Sequence, residues 1–194
     1  MIKKTTLILD ATTKADPLAL HVLEALKEHI HKSGSPLLVL RPSEMKIHHC
    51  IGCFHCWLKT PGLCIFNDDG TKITHALSRA NRIVFFTPLV FGTYSADIKN
   101  SIERSIGILL PTFKKWKGEM HHPLRYPIEP EFIGIGFADR TDDGTPELFR
   151  SHLMRNALNF HAQSMVTTVF AKNTSINNAL EQLERALAKP EEIV

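Results

Sequence analysis

The 194-residue chain has little net charge and lacks any long apolar run. Lysine and arginine number 23 against 20 aspartate and glutamate, which leaves a net charge of only +3. This balance argues against a nucleic-acid partner, because binding to a phosphate backbone needs a strongly basic surface. No apolar stretch approaches the roughly 20 residues that a membrane-spanning helix needs, so no membrane association is expected.

A recognisable export signal is also lacking. The N-terminal sequence MIKKTTLILD begins like a signal peptide, but its apolar run ends at Asp10, too early for a hydrophobic core of that kind. The chain is therefore predicted to be cytoplasmic, where thiols stay reduced. Clustered cysteines in such a compartment are more typical of metal ligands or redox groups than of disulfides.

Cysteine is absent outside one short segment, residues 47–70. The four cysteines follow the spacing Cys-x2-Cys-x2-Cys-x7-Cys and are Cys50, Cys53, Cys56 and Cys64. Four thiolates can hold a tetrahedral zinc ion or the four irons of a cubane cluster. Zinc sites usually pair two distant Cys-x2-Cys knuckles, so the compact spacing here favours iron and sulfur. Free or partly oxidised thiols are the remaining alternative.

Uncharged apolar runs alternate with amphipathic segments along the chain. Between the runs, apolar residues recur at helical spacing, and Asp16 followed by Pro17 predicts the start of the first helix. The segment 111–130 holds four prolines and several aromatic residues, and is predicted to be an irregular excursion on the surface. The runs predict buried strands at 5–9, 37–40, 83–86, 132–137 and 165–170.

Five strands alternating with five helices predict one α/β domain over residues 1–194, with 47–70 and 111–130 as additions to it. Right-handed crossovers would give a five-stranded parallel sheet with helices on both faces. The expected architecture is a flavodoxin-like three-layer sandwich with strand order 2-1-3-4-5. Ligands bind such sheets beyond the carboxyl ends of the strands. The loops after strands one and three and the cysteine segment are therefore expected to meet at one edge.

The sequence TPLVFGTYSADIKNSIER, residues 87–104, resembles the loop and helix after the third strand in the NADPH-dependent FMN reductase family. The usual pattern there is Thr-Pro-x-Tyr-x-Gly-x-x-Ser, followed by Leu-Lys and Asp-Arg. This chain has Phe91 one place beyond the usual aromatic residue, and Glu103 where aspartate is common. The cysteine spacing is similar to that of the iron–sulfur flavoproteins of the same fold, whose cysteines bind a [4Fe–4S] cluster.

This resemblance implies FMN as the cofactor, with its ring against the loop 87–95. Gly92 would let the backbone approach a flat ring, and Phe91 or Tyr94 could pack on that ring. Ser95 could also simply cap the following helix. The predicted cofactor-binding residues of the loop are Thr87, Pro88, Leu89, Val90, Phe91, Gly92, Thr93, Tyr94 and Ser95.

The loop after the first strand departs from the family pattern. The family binds the FMN phosphate with a Gly- and Ser-rich loop, but this chain has DATTKAD, residues 10–16. Asp10 and Asp16 would repel a phosphate, and an Asp16 cap would occupy N–H groups that the phosphate needs. Either the phosphate binds differently, or FMN binds weakly, or the loop is a plain turn. The residues that could hold the phosphate are Thr12, Thr13 and Lys14.

The resemblance implies an oxidoreductase in which FMN takes a hydride from the cosubstrate NAD(P)H and passes electrons to a quinone, a nitro compound or a free flavin. The cofactor does this chemistry, so no side chain is predicted as the catalyst. One alternative is an iron–sulfur flavoprotein that exchanges electrons with a redox protein partner. Another is a flavodoxin-like binding protein without flavin. A homodimer or higher oligomer is implied by the resemblance alone.

Overall fold

The computed structural model describes residues 5–193, in which helices cover both faces of a mostly parallel sheet. The strands are β1 (Thr6–Asp10), β2 (Leu37–Leu40), β3 (Arg82–Val90), β4 (Thr93–Tyr94), β5 (Lys114–Trp116), β6 (Glu119–His121), β7 (Glu131–Ala138), β8 (Ser164–Ala171) and β9 (Glu191–Glu192). The α-helices are α1 (Pro17–Lys32), α2 (His55–Leu58), α3 (Gly70–Leu77), α4 (Ala96–Arg104), α5 (Thr145–Asn159) and α6 (Ile176–Leu187).

The parallel strands follow the order β2-β1-β3-β7-β8. With the strands of this series numbered along the chain, the order is 2-1-3-4-5, so the flavodoxin-like prediction is confirmed. Within the described residues the sheet is larger than predicted, because two short strands bring it to seven. Strand β9 pairs antiparallel with β8, and β4 pairs antiparallel with β3.

Four of the five uncharged runs form strands that are buried on both faces, whereas β2, predicted to be buried, is an edge strand in which Leu38 is 43% exposed. In β1, Leu7 and Leu9 contribute to the core on the side of α3, α4 and α5, whereas Ile8 contributes to the core beneath α1 and α6. Successive side chains of a strand point to opposite faces, so one apolar run supplies both layers. Because helices cover both faces, the loops that follow the strands form the carboxyl edge of the sheet.

The predicted helix start at Asp16 and the possible cap at Ser95 both occur. The Asp16 carboxylate accepts a hydrogen bond from the N–H of Ala19 at 3.1 Å, and Ser95 Oγ accepts one from the N–H of Ile98 at 3.5 Å. The loops before α1 and α4 lie side by side, since β1 and β3 are neighbours. The carboxyl edge therefore brings the first loop and the loop 87–95 together.

Two segments are more regular than predicted. Strand β3 continues through Val90, so most of the predicted loop 87–95 is a hairpin formed with β4. In the segment 111–130, β5 and β6 form a second hairpin. All four prolines of that segment lie outside the paired residues 114–121, where they cannot remove a ladder hydrogen bond. In the part of the chain that the structure describes, no helix combines the length and apolarity needed to cross a bilayer.

Candidate redox site

The four cysteines line one cavity beside the end of α4. Phe54 has a left-handed backbone conformation, with φ +52°, from which α2 carries Cys56 into a buried position. The N–H of Gly62 then donates to the carbonyl of Cys56 at 2.8 Å, which returns the chain so that Cys64 faces the same cavity. Cys50 and Cys53 are exposed, and all four thiols are free.

The thiols influence one another electrostatically. Burial raises the pKa of the Cys56 thiol, and the neighbouring Cys64, Cys50 and Cys53 raise it further. Within residues 5–193, no three His, Cys, Asp or Glu side chains are arranged to hold a single metal ion. A tetrahedral zinc ion needs sulfur atoms about 2.3 Å from one centre. Four thiols that line one cavity are the ligand set that a [4Fe–4S] cluster uses.

Arg104 lines the same cavity, and only 1% of its side chain is exposed. Nη1 and Nη2 each donate to Asp68 at 2.9 Å, and Nη1 also donates to the carbonyl of His48 at 2.7 Å. Nε has no hydrogen-bond partner within the described residues. Burial alone would lower the pKa of Arg104, but Asp68 and Cys64 together raise it. A permanent positive charge therefore lies beside the cysteines.

Asp68 fixes the position of this guanidinium. Burial alone would raise its pKa, but hydrogen bonds from Arg104, from His48 and from the N–H of Gly70 hold the pKa well below its usual range. The ring of Phe66 lies 5.2 Å from the Arg104 guanidinium carbon. Sequence reasoning missed this pair, because Asp68 and Arg104 are 36 residues apart and no local pattern links them.

The tip of the β3–β4 hairpin lies at the carboxyl edge. Phe91 and Gly92 are both left-handed, with φ +51° and φ +75°, as a two-residue hairpin turn of this type requires. A Cβ on Gly92 would lie 2.4 Å from Leu148 Cδ2. The absence of a side chain at Gly92 thus permits contact with α5, and its role beside a flat ring stays a prediction.

Two side chains of the predicted ring loop, Thr87 and Tyr94, are engaged in contacts within the protein. The Thr87 hydroxyl donates to the carbonyl of Pro88 at 2.9 Å and accepts from the N–H of Ser95 at 3.0 Å. Tyr94 packs edge-on against Phe85, and its hydroxyl accepts a hydrogen bond from Asn156 at 2.7 Å. Of the two aromatic candidates, Phe91 is the one at the surface, with 97% of its area exposed.

A groove of about 410 Å³ separates the hairpin tip from the loop after β7. Leu89, Phe91 and Gly92 line one side, and residues between Ala138 and Leu148 line the other. Grooves beyond the carboxyl ends of parallel strands are the usual ligand sites of this fold. The groove therefore offers a place for a flat cofactor, with Phe91 at its rim.

Charged residues in and beside the first loop occupy its hydrogen-bonding groups. Asp10 is fully buried, and its Oδ1 accepts from the N–H of Thr12 at 2.9 Å and from the Thr12 hydroxyl at 2.7 Å. Arg41, which sequence reasoning missed, lies with Nη2 2.5 Å from Asp10 Oδ2. Thr13 and Lys14 are exposed, and Lys14 pairs with Glu44 at 2.6 Å. In this arrangement the donors of Thr12 are not available to a phosphate, because Asp10 occupies both of them.

The cysteine cavity and the hairpin tip lie at opposite ends of α4. Ser95 caps the beginning of this nine-residue helix, and Arg104 ends it, so the two regions are about 14 Å apart along its axis. The expectation that the cysteine segment joins the other two loops at one edge is therefore wrong. The segment runs back along α4, where the carbonyl of Ile47 accepts a hydrogen bond from Asn100 at 3.2 Å.

Comparison with known proteins confirms the resemblance to iron–sulfur flavoproteins, although no protein-family model matches the chain. It is 35% identical over 86 residues to an iron–sulfur flavoprotein of Archaeoglobus fulgidus, covering 44% of this chain and 41% of the relative. It is also 32% identical over 84 residues to one from Methanocaldococcus jannaschii, covering 43% and 42%. Each match thus spans less than half of the relative.

Solved structures share the fold over almost the whole chain. An NAD(P)H:quinone oxidoreductase from Methanothermobacter marburgensis gives a TM-score of 0.70 at 17% identity, covering 95% of this chain and 94% of that one. An FMN-dependent NADH-azoreductase from Bacillus anthracis gives a TM-score of 0.68 at 14% identity, covering 95% and 98%. At these identities the likeness establishes the flavodoxin-like fold.

Proposed function

We propose that this chain is an oxidoreductase similar to the iron–sulfur flavoproteins, in which a [4Fe–4S] cluster exchanges electrons with FMN. The observation that carries the proposal is the convergence of four cysteines on one cavity, beside a buried cation with a free N–H. A cluster bound there would gain and release single electrons. Its proposed ligands are Cys50, Cys53, Cys56 and Cys64.

The flavin ring is proposed to lie in the groove beside the hairpin 87–95. Phe91 would pack on it, because its side chain is exposed at the rim. The buried hydroxyls of Thr87 and Ser95 would hold the hairpin against α4 and would not contact the flavin directly. Peptide groups of the hairpin tip would then supply polar contacts to the edge of the ring. The remaining proposed residues of the hairpin are Pro88, Leu89, Val90, Gly92, Thr93 and Tyr94.

The phosphate is proposed to bind on the exposed side of the first loop, on Thr13 and Lys14. The pair between Lys14 and Glu44 is exposed, and such pairs contribute little stability, so a phosphate could replace Glu44. Thr12 would contribute only after its hydroxyl leaves Asp10. This arrangement predicts weaker FMN binding than a free phosphate loop provides.

The proposed reductant is NAD(P)H, and the proposed acceptor is a small molecule such as a quinone, a nitro compound or a free flavin. The structural similarity to a quinone oxidoreductase and an azoreductase supports this class. The alternative acceptor is a redox protein partner, which would receive single electrons from the cluster. The proposed location is the cytoplasm, which would keep the four thiols reduced.

The proposed assembly is a homodimer or a higher oligomer. The tip of the hairpin is apolar and exposed at Val90 and Phe91, and Leu148, which lines the same groove as Phe91, is 44% exposed. Neighbouring exposed apolar groups are typical of contact surfaces. A second copy would cover them and shield the flavin groove from water.

A second candidate function is a cluster-bearing electron carrier without flavin. The buried Asp10 favours it, because this carboxylate takes the Thr12 donors and places negative charge where the family binds a phosphate. In that case the cysteine cavity would be the whole redox site.

Anaerobic purification, followed by a visible spectrum and assays of FMN, iron, sulfide and zinc, tests both candidates. The proposal expects equal amounts of iron and sulfide together with FMN, whereas the second candidate expects the cluster alone. A colourless protein, or one with zinc only, would contradict both. Cys56→Ala should lose the iron, and His49→Ala in the same segment should keep it.

A further inference from the structure

The guanidinium of Arg104 keeps one donor unused at the cysteine cavity. Its two terminal nitrogens make three hydrogen bonds, and Nε makes none within residues 5–193. An unsatisfied buried N–H is costly, and proteins retain few of them. A group that is absent from the protein chain itself, and that accepts a hydrogen bond, would satisfy it.

The surroundings prevent this guanidinium from turning away. The Asp68 carboxylate accepts a hydrogen bond from each terminal nitrogen. It also accepts hydrogen bonds from the N–H groups of His48 and Gly70, each at 2.9 Å. A Cβ on Gly70 would lie 3.1 Å from Arg104 Nη2, so the glycine leaves space for the guanidinium. Because Nη1 and Nη2 of Arg104 are bonded to Asp68, Nε is the remaining free donor of this side chain, which lines the cavity.

We propose that Arg104 is a positioning residue for the cluster, whose Nε–H donates a hydrogen bond to a sulfur atom of the group held by the cysteines. This inference rests on the proposed cluster. The reduction potential of a cluster depends on nearby charge and on hydrogen bonds to its sulfurs. When an external reductant gives the cluster one electron, its negative charge rises by one while Arg104 keeps its protons. Arg104 therefore favours the reduced state and raises the potential.

A purely structural role for Arg104 makes a different prediction. If Arg104 served only to neutralise Asp68, replacing it by another cation would affect folding but not the cluster. Arg104→Lys makes this separation, because lysine keeps the charge opposite Asp68 and lacks the Nε–H of a guanidinium. Asp68→Asn tests the opposite change, because it removes a negative charge beside Arg104 and leaves the Nε–H in place.

The experiment measures iron and sulfide content and the midpoint potential of the anaerobically purified protein, in a dithionite titration followed by electron paramagnetic resonance. Arg104→Lys should keep its iron and shift the midpoint to a more negative value. Asp68→Asn should shift it to a more positive value. The exposed pair Arg155 and Glu119, which also joins both terminal nitrogens of an arginine to one carboxylate, supplies matched controls, since Arg155→Lys and Glu119→Gln should leave the midpoint unchanged.

A full iron content with an unchanged midpoint in Arg104→Lys would overturn this inference and leave the proposed cluster standing. A parent protein without iron would overturn the proposed function, and the inference with it. Should Arg104→Lys fail to fold or to keep iron, Asp68→Asn tests whether the charges of this pair act on the cluster: a positive shift supports the effect of Arg104 on the potential, and no shift would overturn it.

Discussion

Two buried aspartate–arginine pairs lie at the two candidate binding regions, and they differ in which partner is enclosed. At the first loop, Asp10 is completely buried, while 18% of the Arg41 side chain is exposed. At the cysteine cavity, Arg104 is the more deeply buried partner, at 1%, and 7% of the Asp68 side chain is exposed. The more deeply buried partner is therefore the acid in the first pair and the base in the second.

The difference decides which anion each region can accept. Asp10 takes up the donors of Thr12, so an incoming phosphate would meet a carboxylate and find those donors occupied. Arg104 Nε has no hydrogen-bond partner within the described residues, so an anionic cluster would lie beside a cation with a free N–H. The family resemblance alone implies a phosphate site at the first loop and a cluster site at the cysteines. The arrangement of charges favours the binding of an anionic group at the cysteine cavity over the first loop.

The largest effect is expected from Asp68→Ala, which leaves the Arg104 charge buried without its partner. Removing one member of a buried ion pair typically costs about 3–5 kcal/mol in the free energy of unfolding. Urea denaturation measures this loss, with Asp142→Ala in an exposed pair as the control. A loss no greater than that of the control would mean that the second pair does not stabilise the fold.

The stability that Asp68 contributes should also depend on pH. Its pKa in the folded protein lies below the ordinary value of 3.8, so the contribution is complete above that value and is lost as the pH falls through the folded pKa. The difference in unfolding free energy between the parent and Asp68→Asn should therefore be constant above about pH 5 and shrink below about pH 4. A constant difference down to acid unfolding would contradict this account.

Asp10→Asn should make the first loop more favourable for a phosphate, because it removes a buried negative charge. Asparagine keeps an oxygen for Thr12 but removes the negative charge, and we expect FMN to bind about tenfold more tightly, which corresponds to about 1.4 kcal/mol. Titration of the variant with FMN and with riboflavin measures the effect, because riboflavin lacks the phosphate. An equal change for both ligands would show that Asp10 does not act on the phosphate.

The smallest effect is expected at the hairpin tip. Phe91→Ala should weaken FMN binding about fivefold, within the roughly 0.5–1.5 kcal/mol of an aromatic contact. Because Phe91 is 97% exposed, the free energy of unfolding should change by less than about 0.5 kcal/mol. Met120→Ala, which removes an apolar side chain that is 65% exposed on another hairpin, should leave FMN binding unchanged. Similar FMN affinities for Phe91→Ala and the parent would show that the flavin ring does not bind in this groove.

Much of the fold was predictable because its signals are local. The run 83–86 carries no charge and is completely buried, and Asp16 with Pro17 marks a helix start by its own chemistry. The hairpin at 87–94 was missed because its turn is Phe91-Gly92. Asparagine and glycine favour such turns, whereas a left-handed phenylalanine is uncommon.

The candidate site was predictable only in its outline. The sequence determined that four cysteines lie within a short segment, because spacing is a property of the chain itself. Only the tertiary structure decided that the segment runs back to the far end of α4, about 14 Å from the hairpin. The structure likewise paired Asp10 with Arg41 and Asp68 with Arg104. Ion pairs between distant residues depend on how the elements pack, and packing has no short-range signature.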